Sequence, residues 1–333
     1  MSDARTEIGS LTERIRPVAT GAPVVAIHFL GNDAAFVLGE EAILLVGDDT
    51  EQRIAAHAGG ILCCASDGTR IVSGGDDGKI VATRAGAAAE VLATDAKRRW
   101  IDRVAAGPDD AVAWAVGKQA FVRTAKGEER TLDLPSSAGG LAFAPKGMRL
   151  AVSHYNGASL WFPNAKAPPE KLEWKGSHLD VAFSPDGRFL VTAMQEPTLH
   201  GWRLADAKHM RMSGYAAKVQ SMSWSADGKW LATSGAAQLV MWPFQSKDGP
   251  MGKAPKLLAP SESKVTIAAC HPGQEIVAIG YEDGMILLVR IDDGAEILAR
   301  RPGPAPVSAI GWNSDGSRLA FGAEDGEAGL LAL

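Results

Sequence analysis

Cysteine is scarce in this chain: there are three in 333 residues, and two of them are adjacent, Cys63 and Cys64. That number cannot build a disulfide framework, and it fits a reducing compartment. No stretch approaches the ~18 consecutive apolar residues of a membrane span. The opening MSDARTEIGS has neither the basic head nor the apolar centre of a secretion signal. A cytoplasmic protein without membrane contact is expected. Positive charge is not in excess either, the formal net charge being -5, so general attraction to nucleic acid is excluded as a default. Helix signals are nearly absent. What remains is a chain that is 46% hydrophobic and 22% charged, rich enough in apolar residues for a core and unlike a disordered segment.

The organising stretch is Leu179 to Leu204, LDVAFSPDGRFLVTAMQEPTLHGWRL. It holds an apolar strand, a Pro-Asp-Gly turn, an alternating strand, a polar turn and a third strand closing on Trp202, which is an antiparallel meander. Aligned on the turn glycine or its equivalent, the same unit recurs about eight times. The first strands are Val24 to Leu30, Gly60 to Ser66, Asp102 to Gly107, Gly140 to Ala144, Leu179 to Ser184, Val219 to Ser225, Val265 to His271 and Val307 to Asn313. Their spacing scatters around 40 residues, the period of four-stranded propeller blades. The expected fold is therefore all-β: a closed β-propeller of four-stranded antiparallel blades, eight in number, with seven as the alternative because units one and three are the least regular. Unit eight ends after three strands, and Thr12 to Thr20 reads as the outer strand that completes it. Residues 1–10 are expected to be disordered and 11–333 to form one domain. The polar, Gly/Pro-rich insertion 245–256 is expected to be a mobile loop.

Near the end of the first strand one column reads Phe29, Cys64, Ala106, Phe143, Phe183, Trp224, Cys270 and Trp312, and the close of the third strand gives Trp161, Trp202 and Trp242. With the FSPDG turn at Phe183 to Gly187, His57 and His178 before first strands, and the S-x-x-D-D-G turn at Ser73 to Gly78, the sequence resembles the WD40 repeat family of β-propellers. The resemblance implies buried hydrogen-bond tetrads of His, Ser or Thr, Asp and Trp. Carried over by position, they are His57, Ser73 and Asp77 in unit two, and His178, Thr192, Glu196 and Trp202 in unit five. Thr83 stands where unit two should have Trp, and Glu196 replaces Asp.

Chemistry is not spelled anywhere. Gly74 to Lys79, GGDDGK, is a residue short for a phosphate loop, and its two aspartates repel polyphosphate. The neighbours Cys63-Cys64 and Cys270-His271 face opposite ways on a strand and lack zinc spacing, so the cysteines are expected to pack as small hydrophobes. No nucleophile elbow is present. No catalytic residue, cofactor or metal is expected.

Surface recognition remains. The turns after second strands and the loops between units emerge on one rim, gathering Asp76, Asp77, Tyr155, Asn156, Gln195, Glu196, Tyr281, Glu282, Asp283, Glu324 and Asp325. This acidic rim is expected to favour a protein or peptide with a basic contact surface. Lys97-Arg98-Arg99-Trp100 interrupts it with residue types that dominate interface energetics. The expectation is a monomeric, non-enzymatic interaction scaffold that does not bind nucleic acid. The alternative is a propeller that holds a small ligand or metal at its channel mouth, as a sensor or an enzyme.

Overall fold

The computed structural model describes residues 9–333. Hairpin chemistry sets the local structure. In unit two Ile61–Ser66, Ile71–Gly75, Lys79–Thr83 and Glu90–Thr94 follow one another as an antiparallel meander. At its first turn Asp67 accepts the amides of Thr69 and Arg70, while Gly68 takes the positive φ that a side chain resists. Each of the eight stretches read as a first strand does contain a strand. Units one and three, the least regular in sequence, are ordinary four-stranded sheets.

Among the described residues the strands assemble into seven sheets, so the blades number seven, the alternative count, and not the eight expected. Units four and five account for the difference. Leu150–Trp161 serves unit four as both second and third strand, and Glu170–Phe183 runs from the fourth strand of unit four into the first of unit five. The bends fall at Asn156, Gly157 and Gly176, all with positive φ, and the register slips between Tyr155 and Gly157 and between His178 and Asp180. The strands run on through these bends although the ladder shifts register at them, so two units share one six-stranded sheet.

First strands of successive units lie beside one another, as Ile61–Ser66 does with Arg103–Ala106 and Val307–Trp312 with Val24–Leu30, and the facing surfaces of the units form the core. Val191 and Leu231 join units five and six, and Leu30 and Ile71 join units one and two. Ile15–Ala19 pairs antiparallel with Glu327–Ala332 as the outer strand of unit eight, and Val18, Ala309 and Ala320 pack with Val24 and Phe36 of unit one. A Cβ on Gly322 would lie 2.4 Å from that of Val24, so the bare backbone is what lets these two sheets approach. Thr12–Arg14 is a 3-10 turn, which shortens the expected strand at its start.

Two further expectations change. Of residues 1–10, 1–8 lie outside the described residues, but Gly9–Ser10 forms a short strand parallel to Glu296–Arg300, an added fifth strand for unit seven. The 245–256 insertion is docked, not loose: Gly249 sits against Phe189 and Phe244, Met251 packs on the same cluster, and Asp248 pairs with Arg203. The insertion supplies its own hydrophobic anchor, which its Gly/Pro composition masks.

Candidate functional site: the rim around the channel mouth

Backbone hydrogen bonds build the rim. In units one, two, five, seven and eight the end of the second strand is tied to the loop before the first strand, by Gly39 N–H to Pro23 O, Asp76 N–H to Gly60 O, Gln195 N–H to Ser177 O, Glu282 N–H to Lys264 O and Glu324 N–H to Pro306 O. Turn and loop are thus held side by side on one end of the ring.

The loop between units two and three is the most tightly constructed. Asp95 and Ile101 donate their amides to Gly78 O and Gly75 O. The loop crosses Gly78 so closely that a Cβ there would sit 2.7 Å from Arg98 Cα. The Asp95 carboxylate accepts the amides of Lys97 and Arg99 and both Nε and Nη2 of Arg99, the latter at 2.7 Å. The Arg99 guanidinium, opposed only by partial burial, holds the Asp95 carboxyl down to about 2. Ile101 anchors the loop in the core, fully buried, whereas Trp100 is 68% exposed and Arg98 adopts a left-handed φ of 52°. Trp100 therefore does not cap the core. Among the described residues Arg98 has no side-chain partner.

The acidic rim is smaller than its sequence suggests. Asp77 turns inward: its carboxylate meets His57 Nδ1 at 3.0 Å and accepts the amides of Ala58 and Lys79. Tyr281 is wholly buried and donates to Ala259 O at 2.8 Å, so it cannot meet a partner. Glu282 is engaged by Lys264, and Asp283 caps its own turn at Met285 N–H. Asp76 is half-buried beside Gly59 and Gly60. Tyr155 (58% exposed), Asn156, Gln195, Glu196, Glu324 and Asp325 stand open, and Gln195 accepts from Lys218.

Below the rim lie the buried networks. In unit two His57 Nε2 is 2.9 Å from Ser73 Oγ. An ionised carboxylate only accepts, so Nδ1–H of His57 donates to Asp77. Thr83, in the expected Trp position, leaves its buried hydroxyl unpartnered. In unit five His178 Nδ1 is 2.7 Å from Thr192 Oγ1, but Nε2 donates to Trp174 O. Glu196 and Trp202 are not part of that chain: Glu196 is exposed, and the Trp202 ring lies tilted against that of His178 at 5.7 Å. The fullest network was missed in sequence. In unit six Tyr215 OH is 2.7 Å from Thr233 Oγ1 and accepts from Trp242 Nε1 at 2.6 Å. Spacing could not have found it: Tyr215 precedes Thr233 by 18 residues, where His57 precedes Ser73 by 16 and His178 precedes Thr192 by 14.

Inside the channel mouth a cavity of about 360 Å³ is lined by Asp102, Arg103, Asp180, Leu62 and Val25. Arg103 donates to Asp102 O and to Gly139 O, and burial pushes the Asp180 carboxyl up although water still reaches it. The adjacent cysteines separate as alternation requires: Cys64 lies 3.4 Å from His28 Nε2 of unit one, and Cys63 faces Ile101 O. Burial raises the Cys64 thiol to about 12 and lowers His28 to about 4, so the pair is neutral. Among the described residues no three His, Cys, Asp or Glu side chains are grouped to hold a metal ion, and no helix is long and apolar enough to cross a membrane.

Comparison with known proteins agrees with this geometry. The family model described as WD domain, G-beta repeat, matches residues 49–81 and 208–242. WD repeat-containing protein 1-B of Xenopus laevis is 34% identical over 80 residues, which is 23% of this chain and only 13% of that protein. Among solved structures, the computationally designed Ika8 protein superposes with a TM-score of 0.79 at 16% identity, covering 96% of this chain and 98% of the other. That likeness concerns the fold alone.

Proposed function

This chain is a WD40-repeat β-propeller, and on that premise we propose that it is a non-enzymatic protein-interaction scaffold, cytoplasmic and monomeric, acting as one domain over residues 11–333. The loop at Arg98, Arg99 and Trp100 is its leading contact. The carrying observation is the contrast within that loop: a backbone fixed by Asp95 and Ile101 presents an indole that is 68% exposed. Holding a large aromatic open costs solvation and gains the fold nothing, while a rigid anchor lowers the ordering cost of binding. Tyr155, Gln195, Glu196 and Glu324 extend the contact, and the exposed carboxylates among them favour a partner segment carrying Lys or Arg. The test is photocrosslinking from position 100 in the native cell. A discrete adduct lost on Arg98→Ala supports the reading, whereas no adduct from position 100 with strong adducts from the opposite end of the ring defeats it.

A second reading has one observation in its favour, the cavity at Asp102, Arg103 and Asp180. Its size and its mixture of apolar wall and convergent charge suit a small polar ligand. A melting shift with a metabolite, abolished by Asp180→Asn, would move the function there.

A further inference from the structure

Where the last sheet meets unit one, three arginines from separate segments line one cavity of about 190 Å³: Arg14 from the 3-10 turn, Arg16 from the N-terminal strand and Arg318 from the second strand of unit eight. Leu330 and Ala332 complete the wall, and Asp48 of unit one is the one carboxylate that faces in. Arg16 donates Nη1 to Asp48 O at 2.8 Å and Nη2 to Gly47 O at 2.6 Å. Carbonyls fix a guanidinium without cancelling its charge. Arg318 pairs with Asp48 at 2.8 Å, and Asp33 and Asp315 moderate its charge from outside the cavity. Arg14 has no side-chain partner among the described residues. Arg16 and Arg318 are explained as a clasp on unit one; Arg14 adds only repulsion.

We propose that this cavity binds a small soluble ligand through a dianionic phosphoryl group, taken by Arg14 and Arg318 with Arg16 behind it. Guanidinium forks match phosphoryl oxygens in geometry as well as charge. The volume admits one or two phosphoryl groups, so the remainder of the ligand projects into solvent. The site lies beside the turn between third and fourth strands, at the opposite end of the ring from the rim, and it stands or falls independently of the scaffold reading. A bound anion would touch the N-terminal strand, unit eight and unit one together, and so raise the melting temperature by mass action.

The test is calorimetric titration and thermal melting of the full chain with inorganic pyrophosphate, against sodium chloride at matched ionic strength. The expected result is a saturable rise in melting temperature with pyrophosphate. Arg14→Ala should weaken binding roughly tenfold without altering melting in the absence of ligand. A response no larger than that to matched salt, or one undiminished in Arg14→Ala, overturns the proposal. A third arm uses vesicles containing phosphatidic acid; co-sedimentation with them but no response to pyrophosphate would assign the site to a membrane headgroup instead and overturn the soluble ligand.

Discussion

Units two and six solve one problem with different chemistry. Both must tie the segment before the first strand to the second strand across a dry interface. Unit two does so with a histidine held between a hydroxyl and a carboxylate, His57 between Ser73 and Asp77, and leaves Thr83 Oγ1 without a partner. Unit six does so with a phenol, Tyr215 between Thr233 and Trp242, and uses no charge. What the two units share is a hydrogen bond from the segment before the first strand to a second-strand hydroxyl, made by different residue types.

The largest expected effect breaks the unit-six path. Tyr215→Phe keeps the ring and removes the one acceptor available to Trp242 Nε1, leaving that donor buried. The expected loss is about 2–3 kcal/mol in denaturant unfolding. A loss below 1 kcal/mol would mean that water already serves the indole.

Next is a pH test, because only unit two has a titratable member in the acid range. Burial would raise the Asp77 carboxyl, but hydrogen bonds from His57, Ala58 and Lys79 outweigh it and hold the group below its ordinary 3.8. A folded-state value lower than the unfolded one gives stability that is present above 3.8 and lost as pH falls through the folded value. Asp77→Asn should cost about 1 kcal/mol near neutrality, with the gap to the parent narrowing as pH falls below 3.8. Tyr215 behaves oppositely: burial raises it to about 12, so its contribution persists in acid and falls only as pH rises above its ordinary value of 10.0. Parallel acid limbs for the parent and Asp77→Asn would remove Asp77 from the unit-two network.

Thr83→Val sharpens the same comparison with the opposite sign. It removes a buried hydroxyl that has no partner and replaces it with a methyl of equal size, so it should stabilise by about 1 kcal/mol. The equivalent change Thr233→Val in unit six should destabilise, since that hydroxyl bonds both Tyr215 and Val240 O.

The drift between units also decides what the sequence could show. Period-two strands and turns of Asp-Gly or an equivalent located the first strands, because hairpin geometry admits few residues at a turn. The merged sheet of units four and five was hidden, since bends at Asn156, Gly157 and Gly176 use the residues that ordinarily end strands. His57, Ser73 and Asp77 were legible as a set because they keep family residue types, and Tyr215 was not, because it keeps neither the residue type nor the spacing. On the rim, composition marked the Lys97–Trp100 loop. It could not separate Tyr281, whose hydroxyl finds a buried carbonyl, from Tyr155, whose side chain finds none.

The smallest stability effect belongs to that loop, and there the comparison turns from fold to function. Trp100→Ala removes a side chain that is 68% exposed while Ile101 and Asp95 continue to hold the backbone. Unfolding free energy should change by less than about 0.5 kcal/mol. Recovery of the partner from native lysate should nevertheless collapse, since a desolvated aromatic anchor typically contributes about 2 kcal/mol or more to an interface. Tyr215→Phe should show the reverse, a weaker fold with binding retained below its melting temperature. If Trp100→Ala instead destabilised the chain as much as Tyr215→Phe, the indole would be serving the fold, and the rim would lose its leading contact.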